Sequence, residues 1–137
     1  TVSGMRGDKR GREATPKPLD KFGQFVMLNL RDPAIHEVDG LLKGTWKAPS
    51  LQRLQRSLAK LTPAQKKLVR RCVQECIDSA THAFLFSLQE RADFENDMQL
   101  TVDGRNVVEL SDGIHGEAHG REGWIARFSA YEGSPEE

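Results

Sequence analysis

The chain has 137 residues, 37% of them apolar, and its 20 basic and 20 acidic side chains cancel to zero formal charge. That length makes a single domain with a real core and no need of covalent staples. No apolar run approaches the roughly 18 residues that span a bilayer, and the start lacks the basic, apolar and small-residue zones of a secretion signal, so a cytoplasmic protein is expected.

Residues 1–17 have no apolar periodicity and are rich in Gly and Arg, which predicts a flexible basic tail. A single globular domain is expected over 18–131, followed by an acidic tail over 132–137. Phe22, Phe25, Val26, Asn29 and Leu30 recur at helical spacing and predict a first helix over 19–31. Asp32 and Pro33 then read as an N-cap and a first helical position, opening a short helix on Ile35, Val38, Leu41 and Leu42 that Gly44 ends. Trp46 falls in the following loop and is expected to plug the core, and Ser50 is expected to cap the next helix.

In that third helix Leu51, Leu54, Leu58 and Leu61 have the spacing of a buried seam, with Arg53, Arg56 and Lys60 opposite. Thr62, Pro63 and Gln65 supply a cap, a first-turn proline and a capping box, from which a long helix should run to about Glu95. Val69, Cys72, Val73, Cys76, Ala80 and Phe84 form its expected core stripe. Cys72 and Cys76, four apart, are expected to pack there as small, reduced, buried residues. His82 reads as a core or boundary histidine.

The period then changes from 3.6 to 2. Met98, Leu100 and Val102 alternate with polar residues, and Val108 and Leu110 follow a turn at Asp103-Gly104. Keeping both apolar sets on one face favours a three-residue loop, with Leu100 opposite Val108. Trp124, Ala126 and Phe128 predict a third strand. The expected fold class is therefore α+β, an N-terminal four-helix portion with one long central helix followed by a small three-stranded antiparallel sheet.

Charge along the chain is strongly segregated. Residues 41–74 carry nine basic side chains and no acid, whereas from Glu75 onward fourteen acids face four arginines. A one-signed patch attracts an opposite partner, and the candidate partner-binding residues are Arg53, Arg56, Lys60, Lys67, Arg70 and Arg71. Three readings compete for this face: a solvated surface, contact with a protein partner or a second copy, and nucleic acid. The zero net charge and the lack of interleaved aromatic residues weigh against nucleic acid.

Residues 111–123, SDGIHGEAHGREG, pack four glycines and two histidines between expected strands. Glycine permits sharp turns and close backbone approach, and long loops in compact domains are often functional. Asp112, His115, Glu117 and His119 are candidate metal ligands or acid–base groups. Histidines four apart converge only on a helix, which these glycines oppose, and no activated nucleophile lies nearby.

Residues 109–117 (ELSDGIHGE) and 123–129 (GWIARFS), with the helix over 62–90, resemble a family of small bacterial proteins of unknown function. The resemblance covers about residues 19–131 and implies a bacterial cytosolic domain. It carries no activity, cofactor or catalytic residue. The expected function is a non-enzymatic protein-interaction domain, adaptor-like or immunity-like, that needs no cofactor and binds a protein partner or itself. The alternatives are a metal-binding or small hydrolase domain centred on the Gly/His loop, and then nucleic-acid binding through the basic face.

Overall fold

The computed structural model describes residues 17–134, so all of the expected N-terminal tail except Lys17, and residues 135–137, lie outside the described residues. A nearly unbroken helical run opens the fold: α1 (Pro18–Val26), a π-helical turn (Met27–Arg31) and α2 (Asp32–Lys43). Pro33 has no N–H and its ring crowds the carbonyl four residues back. The wider π turn before it lets the Asp32 amide reach the Met27 carbonyl, so the chain stays helical. Asp32 therefore does not cap α2. Its carboxylate instead accepts from the Ser129 hydroxyl and, at 2.9 Å, from the Ala130 amide. Gly44, left-handed at φ 72°, ends α2 as expected.

Trp46 folds back over α2. A Cβ on Gly40 would lie 2.2 Å from its ring, and its Nε1 donates to the Glu37 carbonyl at 3.0 Å. A short 3-10 turn, Pro49–Leu51, leads into α3 (Gln52–Ala59), so Ser50 sits inside that turn and caps nothing. The leucine seam is not buried either. Leu54 is exposed and Leu51, Leu58 and Leu61 are half-buried, whereas Gln55 is buried. Gln55 accepts from the Trp46 amide at 3.0 Å and donates to the Trp46 carbonyl at 2.9 Å. Those paired bonds remove the cost of burying its amide.

Helix α4 (Pro63–Glu90) starts at the expected capping box: the Gln65 amide donates to Thr62 Oγ1 and the Thr62 amide to Gln65 Oε1. A π turn (Arg91–Glu95) extends it to left-handed Asn96. The sheet has two short strands, β1 (Thr101–Val102) and β2 (Arg105–Asn106), with Val102 opposite Arg105. The loop is thus the two-residue Asp103-Gly104, both with positive φ, and the expected three-residue loop is not formed. Asp-Gly is the favoured chemistry for such a turn. Burial of Val107 and Val108 does not need strand alternation, because both lie on a 3-10 turn (Val107–Leu110) that carries them into the core.

The expected third strand is a helix, α5 (Trp124–Phe128). Residues 124 and 128 share a face in a strand and on a helical turn alike, so five residues of pattern did not discriminate. The described residues are mostly helical, with one small two-stranded antiparallel sheet among them. Its core joins Val26, Met27, Leu85, Val107, Val108, Ile114, Ala118 and Trp124. Trp124 is wholly buried, edge-on to Phe22 at 5.9 Å. Burying each such large side chain contributes about 1.5–3 kcal/mol.

Candidate interaction surface

Helix α4 faces the opposite way from the one its hydropathy predicts. Its buried residues are Gln74, Thr81, Leu85 and Gln89. Cys72, Cys76, Ala80 and Phe84 are exposed, and Val69 and Val73 are half-buried at the edge. The apolar stripe exists, but it points to solvent. Leu68 is 69% exposed, Phe84 62% and Phe86 42%. At 3.6 residues per turn, Arg70, Arg71 and Asp78 fall away from this stripe, whereas exposed Glu75 stands at its edge, about 20° round the helix from Leu68 and Phe86.

The inward side is polar because its partners are polar. Gln74 Nε2 donates to the Glu132 carbonyl at 2.9 Å, and the Thr81 hydroxyl donates to the Ile77 carbonyl at 2.7 Å. Gln89 Oε1 accepts from the Ile114 amide at 2.9 Å, within the core. Asp78 accepts from Arg31, a wholly buried residue whose guanidinium also donates to Ser129 Oγ and to the Tyr131 and Glu132 carbonyls. Buried polar groups are tolerated when paired in this way. The α4 seam is a hydrogen-bonded one, and it leaves the apolar side free.

The basic residues divide into two sets. Arg53, Arg56, Lys60, Lys67 and Arg71 are exposed. Arg70 is bound internally: its Nε donates to Asp39 at 3.1 Å, its Nη1 donates to Gln74, and its guanidinium lies over the Tyr131 ring. Arg70 thus braces α4 against α2 and the C-terminal segment. Lys67, Arg71 and Tyr131 line an open cleft of about 530 Å³ beside it.

The Gly/His loop is built of tight turns, among them the 3-10 turn Ile114–Gly116, and inserts buried Ile114 and Ala118 into the core. The Trp124 and Ile125 amides donate to the Glu117 and Ala118 carbonyls, tying the loop to α5. The candidate ligands do not converge. Asp112 and His119 are exposed, and Glu117 accepts from the Ser111 hydroxyl at 2.7 Å. Among the described residues no group of three or more His, Cys, Asp or Glu side chains is placed to hold a metal ion.

His82, expected in the core or at its boundary, is exposed. Its ring lies 5.2 Å from that of His115 and 5.7 Å from that of His119. His115 packs edge-on against Phe86, and its Nδ1 is buried without a hydrogen-bond partner. No spacing in the sequence signals this meeting of three imidazoles across 33 to 37 positions, which depends on how the loop docks on α4. A cleft of about 450 Å³ beside them is lined by Glu75, Asp78, His119 and Arg121, among others. Asp78 is already held by Arg31, which leaves Glu75 and His119 as the exposed acid and imidazole of this cleft.

No family model, curated protein or solved structure matches the chain.

Proposed function

We propose that this chain is a non-enzymatic protein-interaction domain that binds a protein partner or a second copy of itself. The carrying observation is the outward apolar stripe of α4, with Leu68 and Phe84 more than half exposed. Contiguous exposed apolar surface of this kind marks interaction sites in folded proteins. Exposed Lys67 and Arg71 lie in the first turns of that helix, and exposed Arg53, Arg56 and Lys60 lie on the segment leading into it, where they steer an acidic partner surface. Arg70 supports them from within. Among the described residues no helix is long and apolar enough to cross a membrane. The resemblance over residues 19–131 suggests a bacterial cytosolic setting, and an adaptor-like or immunity-like role follows only by analogy with other small domains of that kind.

A photo-crosslinking amino acid in place of Phe84 tests this in cells, with the same group replacing exposed Gln24 of α1 as control. A discrete protein adduct, including one with the chain itself, is expected at position 84 and not at 24. Equal or absent adducts at both positions would reject the reading. Arg53→Glu with Arg56→Glu is expected to slow association and to flatten its salt dependence.

A further inference from the structure

We infer that the α4 stripe is covered by a second copy of this chain, packed antiparallel, α4 against α4, about a twofold axis level with Asp78. Such a dimer presupposes the interaction reading above and names the partner. The charges at the two ends of α4 select this arrangement. Lys66 and Lys67 stand in the first turns, where the helix dipole disfavours cations. Glu90 ends the helix and Asp93 follows on the π turn, where anions are disfavoured, while Glu95 beyond them is already paired with Arg91 at 3.0 Å. Lys66 and Glu90 thus gain nothing from the dipole of their own helix. An antiparallel copy sets each end beside the opposite charge and opposes the two dipoles, whereas a parallel copy would stack like on like.

Side-chain size along the stripe agrees with the same register. Placing Lys66 opposite Glu90 also places Phe84 opposite Cys72 and Cys76 opposite Ala80. The large ring then meets a small residue, and small residues meet at the centre, where two helices approach to roughly 8–10 Å. The face over residues 68–87 is about 30 Å long. With a helix about 10 Å across the face covers about 300 Å², small beside a standard interface of roughly 800 Å² per partner, which fits a weak dimer rather than an obligate one.

Sedimentation of the full chain over a concentration series is expected to show a monomer–dimer equilibrium. Ala80→Glu puts a charge at the centre of the contact and is expected to weaken the dimer by about tenfold or more. Its circular dichroism should match the parent, because Ala80 is exposed in the monomer. Cysteine crosslinking reads the register. Ala80→Cys with Cys72→Ser is expected to form a dimeric disulfide through Cys76. Cys76→Ser, which leaves Cys72 alone, is not, since the two Cys72 residues would stand about 18 Å apart along the axis. A monomer at every concentration, a dimer indifferent to Ala80→Glu, or crosslinking through Cys72 would each overturn the proposal. A monomer that still forms an adduct with another protein at position 84 defeats self-pairing and leaves the interaction reading intact. A dimer indifferent to Ala80→Glu with no adduct at 84 defeats both.

Discussion

The guanidinium of Arg31 grips the carboxylate of Asp78 with two hydrogen bonds, Nε to Oδ1 at 2.7 Å and Nη2 to Oδ2 at 3.2 Å, at a point where Arg31 has no exposure to solvent. This pair ties the π turn after α1 to the middle of α4. The same guanidinium binds Ser129 and the carbonyls of Tyr131 and Glu132, so one side chain gathers three parts of the chain. Asp78→Ala leaves that buried cation without its counter-charge, and breaking such a pair costs about 3–5 kcal/mol. Urea unfolding should show a midpoint lowered to match, with an unchanged slope. A loss below about 1 kcal/mol would mean that the pair behaves as an exposed one.

Gly23 of α1 lies under the Trp124 ring, where a Cβ would stand 2.3 Å from the indole. Glycine to alanine inside a helix ordinarily stabilises by about 1 kcal/mol. Here overpacking of about 1–3 kcal/mol or more outweighs that gain, so Gly23→Ala is expected to be destabilising. Gly40→Ala should behave alike against Trp46. Gly116→Ala, with open space at its Cβ, should be near neutral in the same thermal melts.

Phe84 and Leu85 are neighbours on α4 with opposite environments, one 62% and the other 1% exposed. Leu85→Ala is expected to cost about 2–5 kcal/mol. Phe84→Ala, measured at a concentration where the chain is monomeric, should change stability by less than about 1 kcal/mol. Equal losses would show that the aromatic side of α4 is packed inward.

Asp20 receives a 2.8 Å hydrogen bond from Arg127, which together with the Arg127 charge holds its carboxyl below the ordinary value despite the opposing effect of partial burial. A depressed carboxyl contributes stability above its unfolded pKa, and that contribution is lost as pH falls from about 4 through the lower folded value. The pair is partly open to water, so the contribution stays under about 1 kcal/mol. Asp20→Asn should remove this part of the acid-side decline and leave stability below that window unchanged. An identical pH profile for the two proteins would contradict the pairing.

Much of the helical organisation was legible in the chain. Thr62, Pro63 and Gln65 mark the start of α4 because capping chemistry is local, and Gly44 marks the end of α2 because a left-handed residue is needed there. The apolar stripe of α4 was visible too, at the right spacing. Its direction was not, because periodicity says that a helix has two sides and not which side meets the rest of the fold. Hydropathy cannot foresee that Arg31, Gln74 and Gln89 become buried with their polar groups paired, since partners such as Asp78, the Glu132 carbonyl and the Ile114 amide lie far along the chain. Five residues at 124–128 were too few to separate a strand from a helix.

The candidate site shows the same division. Arg53, Arg56, Lys60 and Lys67 are as exposed as their positions imply, whereas Arg70, indistinguishable from them in sequence, is drawn inward by Asp39 and Gln74. The histidines of the loop meet His82 only when the loop docks on α4. By itself the sequence determined the end of α2 at Gly44, the start of α4 at Thr62 and the charge polarity, because each depends on residues within a turn of one another or on a plain count. Tertiary structure alone decided which side of α4 faces water. That choice follows from hydrogen bonds between residues tens of positions apart, which satisfy a polar seam and leave the apolar stripe outside.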